Sequence, residues 1–234
     1  MTKIIKQFEH IKQRIVQAMH SSGRTAPETV TLLAVSKRHP YEKIQSLYEL
    51  GQQHFGESYL QEALQKIEKL SQLEIIWHFI GPIQSNKTKD IAQQFHWVHS
   101  VDRLKIARRL SQQRPIELPP LNICLQINIS NEVQKSGFST TNIHDAIKEI
   151  ISLPNIKVRG LMAIPAPVAE GNEQFIKQCI PFQQLRELML QLNKDYQLDM
   201  DTLSMGMSND LEAAIAEGAT IIRIGTALFG SRET

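Results

Sequence analysis

The sequence predicts a (β/α)8 TIM barrel of the α/β class, with one extra helix at its N-terminus. Eight short apolar runs of strand character alternate with helix-spaced segments along 234 residues, and no low-complexity stretch or polar linker interrupts them. An open doubly wound sheet is the alternative. It needs a glycine-rich phosphate turn after an early strand, and the chain contains neither GxGxxG nor a P-loop motif. We therefore expect a single barrel domain over residues 1–234.

The chain begins with an amphipathic helix. Apolar side chains recur at helical spacing over its first twenty residues, and Gly23 and Pro27 end this region. The apolar positions are Ile4, Phe8, Ile11, Ile15 and Met19.

Four strands and four helices follow in the first half. The predicted strands cover residues 30–37, 54–56, 75–80 and 97–100, and the predicted helices cover 41–50, 58–70, 84–94 and 103–113. Gly51 and the pair Gly81-Pro82 mark the ends of elements, and Asp102 is a candidate N-cap.

The second half repeats this rhythm. Its predicted strands cover residues 121–128, 158–164, 202–204 and 220–224, and its predicted helices cover 141–152, 173–194 and 209–217. Pro181 lies inside the long helical region, where it either kinks the helix or begins a new one.

The composition is that of an ordinary globular protein, with 41% hydrophobic and 21% charged residues. A net charge of +2 with interspersed signs gives no footprint for nucleic acid. No apolar run reaches the about 18 residues that span a bilayer, and the N-terminus lacks a signal-peptide core. Cys124 and Cys179 fit no metal-ligand spacing and are expected to be small buried hydrophobes in a reducing compartment. These features predict a cytoplasmic protein without a nucleic-acid or membrane partner.

Lys37 is the first candidate functional residue. It ends the apolar run from Leu32 to Ser36, and the turn signal His39-Pro40 follows it. In a barrel, active sites lie at the C-terminal ends of strands, so this lysine is expected to point into a site. Burial lowers the pKa of a lysine, and an unprotonated amine forms Schiff bases with carbonyls. The alternative is a solvated lysine at the rim of the barrel.

A second candidate site follows strands 7 and 8. Residues 204–210 form a small, glycine-containing loop that enters a helix, and Arg223-Ile224-Gly225-Thr226 adds further N–H groups, a hydroxyl and a guanidinium. Phosphate binding after strands 7 and 8 is a recurrent arrangement in barrels, and strand 1 lies beside strand 8. A Schiff-base lysine next to a phosphate site indicates pyridoxal 5′-phosphate, which carries both an aldehyde and a phosphate. The alternative is a glycine turn and an N-cap serine without a ligand.

From about residue 30 to its C-terminus, the chain resembles the pyridoxal-phosphate homeostasis protein family. The matching segments are Ala34–Lys37, Phe55–Glu57, His78–Lys87, Asn128–Ser130 with Lys135 and Gly137, Gly160–Pro165, Ser204–Asp210 and Arg223–Gly230. This family looks like the barrel domain of alanine racemases (fold type III of the pyridoxal-phosphate proteins) without their second domain.

The resemblance implies a protein that holds the cofactor as a Schiff base on Lys37 and acts in vitamin B6 and amino-acid homeostasis, without an established turnover. It implies that Arg223 lies at the pyridine nitrogen, and that Ser208, Gly225 and Thr226 hold the phosphate. Apo-enzymes that use the cofactor are the implied recipients, and the missing dimerising domain favours a monomer.

Four positions stay open at this stage. Ser204 either contacts the phosphate or only orders its loop. His78 and Asn128 either lie near the cofactor or are hydrogen-bonded structural residues. Ser58 replaces the asparagine that the family usually carries after strand 2, which puts that contact in doubt. His96 and His99 fall on opposite faces of a strand, which argues against a shared metal.

Two enzyme classes are the alternatives to a carrier. One is an amino-acid racemase or a lyase that depends on the cofactor, and the other is an aldolase-like barrel. Racemisation needs an acid or base on each face of the substrate, and Tyr59 is the only plausible substitute for the tyrosine that the second domain of a racemase supplies. An aldolase-like barrel also uses a Schiff-base lysine, but that lysine usually comes from a later strand.

Overall fold

A computed structural model describes residues 3–24, 30–130, 132 and 134–230 of the chain. It contains eight parallel strands, which are β1 (Thr31–Val35), β2 (His54–Glu57), β3 (Ile76–Phe79), β4 (Trp97–Val101), β5 (Leu121–Gln126), β6 (Ile156–Met162), β7 (Thr202–Ser204) and β8 (Ile221–Ile224). Each strand pairs with its neighbour in sequence order, and β8 pairs with β1 to close the barrel. The predicted (β/α)8 fold is therefore confirmed.

Nine α-helices accompany the strands within the described ranges. They are α1 (Lys3–Ser21), α2 (Tyr41–Tyr48), α3 (Leu60–Lys69), α4 (Thr88–Gln94), α5 (Leu104–Gln113), α6 (Ile143–Ile150), α7 (Gln174–Tyr196), α8 (Leu211–Ala216) and α9 (Thr226–Phe229). A short 3-10 helix, Ser85–Lys87, precedes α4. The extra N-terminal helix α1 packs against α8 and α9, next to the last strand of the barrel.

The element ends differ from the prediction where local geometry decides them. β1 ends at Val35, two residues earlier than predicted, because the chain turns at residues 36–39. α1 ends at Ser21, and Gly23 follows with a φ of 73°, whereas Pro27 lies outside the described residues. α7 runs through Pro181 without a break, so Pro181 does not begin a new helix.

The barrel separates two kinds of packing. Ala34 and Phe55 are buried in the apolar layer between strands and helices, as expected for strands covered by helices. In the barrel interior, Leu33 pairs in register with Arg223 across β1 and β8. Arg223 therefore places a charge inside an otherwise close-packed barrel.

The two cysteines differ in burial. Cys124 is fully buried as expected, and burial raises the pKa of its thiol to about 12, whereas Cys179 is only partly buried.

None of the described helices is long and apolar enough to cross a membrane.

Candidate functional site

A cavity of about 220 Å3 opens at the C-terminal ends of the strands. Its volume is small compared with the roughly 300–1,000 Å3 of typical ligand pockets. Apolar side chains from β1, β6 and the segment after β3 form part of the wall. The polar residues and the glycine that line it are Lys37, His39, Ser58, Ser208, Arg223, Gly225 and Thr226. Lys37 and the residues predicted after strands 7 and 8 thus share one cavity.

Lys37 lies half-buried in a tight turn directly after β1. The His39 N–H donates to the Ser36 carbonyl at 3.1 Å, which makes Lys37 the second residue of a four-residue turn. Arg38 follows in the left-handed region with a φ of 62°. A residue with a Cβ is uncommon there and costs on the order of 1–3 kcal/mol, so the surrounding structure must hold this turn in place.

Helix α3 supplies that support from behind the strands. The Lys66 Nζ donates to the Ser36 carbonyl at 2.8 Å and to Glu57 Oε1 at 2.7 Å. Glu62 Oε1 accepts the Arg38 N–H at 2.6 Å and pairs with Lys66. Ser36 Oγ donates to the same Glu57 oxygen at 2.7 Å. These bonds fix the backbone on both sides of Lys37, which leaves its side chain to face the cavity.

Burial dominates the electrostatics of Glu57. It raises the pKa of this carboxyl group, and the attraction of the Lys66 ammonium and the hydrogen bond from Ser36 oppose the rise. Glu57 Oε2 is buried without a hydrogen-bond partner among the described residues. The pair therefore costs desolvation energy, and its contribution is to anchor α3 against the turn that carries Lys37.

Arg223 forms part of the cavity floor. It is 5% exposed, and its Nη1 donates to the Ser204 carbonyl at 2.5 Å and to Ser204 Oγ at 2.9 Å. Its Nη2 donates to the Ala163 carbonyl at 2.9 Å. Burial lowers the pKa of Arg223 to about 10, so the group remains charged at neutral pH. A guanidinium has five N–H groups, and two of these five have no hydrogen-bond partner in the described part of the chain.

The residues predicted to hold an anion lie around one side of the cavity. Ser208 is half-buried, and its carbonyl accepts a hydrogen bond from Arg14 of α1 at 3.1 Å. Gly225 and Thr226 begin the short helix α9, where the first N–H groups have no acceptor within the helix. A Cβ placed on Gly225 would lie 3.5 Å from the Val35 carbonyl, which is an ordinary van der Waals contact, so the end of β8 lies beside the end of β1 without a steric need for glycine.

Gly206 shapes the loop before Ser208. Its φ is 92°, and an added Cβ would lie 2.5 Å from the Ala214 side chain, so a larger residue cannot replace it without a shift. Asp210 closes the loop because its Oδ1 accepts the Met207 N–H at 2.6 Å. The predicted helix 209–217 is observed as the shorter α8, so its dipole adds less to anion binding than the sequence suggests.

Three predicted site residues lie outside the cavity lining. Ser204 is fully buried beneath Arg223. His78 is fully buried deeper in the barrel, between the rings of His54 and His99. Asn128 organises the loop after β5, since its Nδ2 donates to the carbonyl of Glu132 at 2.8 Å. In this structure, His78 and Asn128 are therefore hydrogen-bonded to other protein groups.

The structure also brings to the site two residues that the sequence did not predict there, His39 and Arg14, and it places Ser58, whose contact was in doubt. His39 lines the cavity and stacks on Phe229 with ring centroids 5.0 Å apart. Ser58, at the position that departs from the family pattern, lines the cavity as well. Arg14 supports the Ser208 loop from a helix almost two hundred residues away in sequence. For His39, the one local signal in the sequence was the turn that His39-Pro40 predicts.

Chemically, the cavity combines an amine, a guanidinium and a set of hydroxyl and N–H donors. This arrangement suits a small molecule that carries a carbonyl at one end and an anionic group at the other. In the described residues, no three His, Cys, Asp or Glu side chains are grouped so that they could hold a metal ion.

Comparison with known proteins agrees with this geometry. The family model described as "Alanine racemase, N-terminal domain" matches residues 9–233. The chain is 54% identical to a protein of Pseudomonas aeruginosa over 233 residues, which are 100% of this chain and 97% of that protein. It is 45% identical to a protein of Escherichia coli K12, with 100% and 98% covered. Both are named pyridoxal phosphate homeostasis protein.

Solved structures show the same fold. PipY of Synechococcus elongatus PCC7942, solved with pyridoxal phosphate bound, superposes with a TM-score of 0.79 at 36% identity, covering 92% of this chain and 100% of PipY. Alanine racemase from Corynebacterium glutamicum superposes with a TM-score of 0.65 at 16% identity, covering 97% of this chain and 62% of the racemase, and shows the fold alone. The chain therefore belongs to the pyridoxal phosphate homeostasis protein family, with the barrel of the alanine racemase N-terminal domain.

Proposed function

We propose that this chain binds pyridoxal 5′-phosphate reversibly as a Schiff base on Lys37 and acts in intracellular vitamin B6 and amino-acid homeostasis, without catalytic turnover of its own. One observation carries the proposal: Lys37, Arg223 and Ser208 line the same cavity as Gly225 and Thr226. PipY, a member of the same barrel family, binds this cofactor.

The cavity fits the cofactor group by group. When bound, pyridoxal phosphate supplies an aldehyde at one end and a phosphate dianion at the other. The Lys37 amine forms the carbon–nitrogen double bond, and its two amine hydrogens leave with the aldehyde oxygen as water. Ser208 and the amides of Gly225 and Thr226 donate hydrogen bonds to the phosphate oxygens. The reaction is reversible because water can reopen the bond.

Arg223 restrains the chemistry. Arg223 lines the cavity, two of its N–H groups have no hydrogen-bond partner among the described residues, and a guanidinium donates but does not accept protons. With its pyridine nitrogen next to Arg223, as the family resemblance implies, the cofactor would keep that nitrogen unprotonated, and the ring would be a weak electron sink. A barrel with Lys37 on one face and no tyrosine among the described residues of the cavity lining is suited to hold the cofactor rather than to move protons on an amino acid.

The same proposal covers what surrounds the site. We infer a cytoplasmic, monomeric carrier, built as one barrel domain over residues 1–234, that limits the free aldehyde and delivers the cofactor to apo-enzymes. Tyr59, the candidate second acid or base, is 44% exposed and lies against Arg38 rather than in the cavity. The racemase or lyase alternative is thereby disfavoured.

The test is borohydride reduction of the purified, cofactor-loaded protein. We expect visible absorbance that is lost on reduction, and mass spectrometry should find the cofactor on the peptide that contains Lys37. Lys37→Ala should abolish this label. Lys157→Ala, at an exposed position near the opposite end of the barrel, is the matched control and should leave the label unchanged. A label on another lysine would overturn the assignment of Lys37.

Delivery is tested separately. The loaded protein is mixed with an apo-enzyme that needs the cofactor, and the recovered activity is compared with the activity recovered in the presence of an aldehyde trap. Recovery despite the trap supports direct transfer, whereas complete loss of recovery would refute it.

A further inference from the structure

A continuous line of hydrogen-bonded side chains crosses the interior of the barrel. His54 Nδ1 lies 2.9 Å from His78 Nε2, and His78 Nδ1 lies 2.8 Å from His99 Nε2. His99 Nδ1 then lies 2.7 Å from Ser204 Oγ, which accepts Arg223 Nη1–H at 2.9 Å. We call His54, His78, His99 and Ser204 the histidine chain. It joins the N-terminal end of the barrel to the floor of the cavity.

Three of the four members of the histidine chain are fully buried. His78, His99 and Ser204 are each 0% exposed. The interior of such a barrel is usually filled with branched apolar residues, and buried polar groups are costly unless every one is hydrogen-bonded. Only the first member, His54, is partly exposed, and it borders a second cavity at the N-terminal ends of the strands.

The Ser204 hydroxyl sets the direction of the bonds in the histidine chain. A guanidinium can only donate, so Ser204 Oγ accepts from Arg223, and the single hydroxyl hydrogen of Ser204 has no acceptor among the described residues other than His99 Nδ1. His99 must then carry its proton on Nε2 and donate to His78 Nδ1, and His78 in turn donates from Nε2 to His54 Nδ1. The opposite direction would leave the buried Ser204 hydroxyl hydrogen without an acceptor in the part of the chain that the structure describes.

The same geometry requires neutral rings. A protonated histidine donates from both nitrogens, so a charge on His99 or His78 would either set two donors against each other or deprive the Ser204 hydroxyl hydrogen of its acceptor. Burial, together with the charge of Arg223, lowers the pKa of His99 to about 3. Burial also lowers the pKa of His78 well below its ordinary value. The chain is therefore polarised in one sense, with each Nε2–H pointing away from Arg223.

We propose that the histidine chain is a positioning device for Arg223, which holds the guanidinium toward the pyridine nitrogen and so tunes cofactor binding from inside the barrel. This inference rests on the proposed function, because it assumes that Arg223 meets the cofactor. The chain acts through Arg223 and does not touch the ligand. Ser204 is the link, since its hydroxyl bonds to both Arg223 and His99.

The first test uses the ligand-free protein and does not depend on the cofactor. Nitrogen-15 NMR of histidine-labelled protein at neutral pH distinguishes the two neutral tautomers and the charged ring. We expect His99 and His78 to be neutral with the proton on Nε2. A proton on Nδ1 of either ring, or a charged ring, would overturn the proposed direction of the chain.

The second test removes the link. Ser204→Ala deletes the hydroxyl but keeps the bonds from Arg223 to the Ser204 and Ala163 carbonyls. The variant loses two buried hydrogen bonds, one from Arg223 and one to His99, and the loss of the bond that holds Arg223 should raise the Kd for pyridoxal 5′-phosphate about threefold to tenfold. It should also shift the absorption maximum of the bound cofactor, while borohydride still labels Lys37.

Ser111→Ala is the matched control. Ser111 is equally buried, and its hydroxyl donates to the Pro154 carbonyl on the outside of the barrel. This variant loses one hydrogen bond, so it should lose stability but keep the wild-type Kd and spectrum. A Ser204→Ala protein with wild-type Kd and spectrum would refute the positioning role. Absence of any Lys37 label in the wild type would refute the proposed function instead, and the NMR result would still decide the direction of the chain.

Discussion

Lowering the pH from 7 to 5 should destabilise this barrel through its buried histidines. The folded state keeps His99 neutral, with a pKa of about 3, because of burial and the nearby charge of Arg223. In the unfolded chain, the pKa of a histidine is about 6.5. At pH values between these two pKa values, the unfolded state binds more protons than the folded state. The free energy of unfolding therefore falls as the pH falls below about 6.5.

The magnitude follows from the separation of the two pKa values. At pH 5 the unfolded His99 is almost fully protonated and the folded one is not, which costs about 1.5 pH units times 1.36 kcal/mol, or about 2 kcal/mol. His78 is fully buried with a pKa lowered well below its ordinary value, so it acts in the same direction. Glu57 acts in the opposite direction, because burial raises the pKa of its carboxyl group.

The assay is urea unfolding of the cofactor-free protein at pH 7 and pH 5, followed by circular dichroism. Since Glu57 and other groups also titrate, the informative quantity is the difference between wild type and variant. His99→Gln removes the titrating ring, so its unfolding free energy should fall about 2 kcal/mol less between the two pH values. His10→Gln makes the same substitution at an exposed histidine of α1 and is the matched control. An equally steep fall in His99→Gln and wild type would refute the reasoning.

Two further predictions concern the ligand. Ser208→Ala should raise the Kd for pyridoxal 5′-phosphate roughly tenfold, because a hydrogen bond to a charged oxygen contributes about 1.5–3 kcal/mol. Ser46→Ala, which removes an exposed hydroxyl of α2, is the control. If the wild type bound pyridoxal, which lacks the phosphate, with equal affinity, the role of Ser208 in phosphate binding would be contradicted. When the loaded protein is incubated with each L-amino acid in heavy water, NMR should detect no rapid exchange of the α-proton. Rapid exchange that is lost in Lys37→Ala would instead support a racemase.

Local patterns made much of this molecule predictable. Strand and helix order follows from the spacing of apolar residues, and glycine and proline mark the turns, because both signals act within a few residues of the chain. The closed barrel confirmed this reading. The same logic placed Lys37 as the last residue of the first strand and Arg223 in the eighth, and the pairing of these two strands brings both residues to one cavity. Their chemical roles stay predictions.

Local patterns also misplaced some details. The predicted strand from residue 121 to 128 ends at Gln126, because the chain leaves the sheet in a loop that Asn128 ties together. In the sequence, Asn128 is a polar residue at the end of a predicted strand, a position that is typical of a functional site. Its amide instead donates to the Glu132 and Lys135 carbonyls, contacts that depend on how a loop folds back.

The sequence by itself determined the order of elements, the closure of the barrel and the residues at its C-terminal end, because those depend on periodicity and on chain neighbours. Only the tertiary structure decided what holds the site in place. The link from His99 to Ser204 joins residues 105 positions apart, and the Arg14 support of Ser208 joins residues 194 apart. Such bonds leave no periodic trace, because they form only when the barrel brings distant strands and helices together.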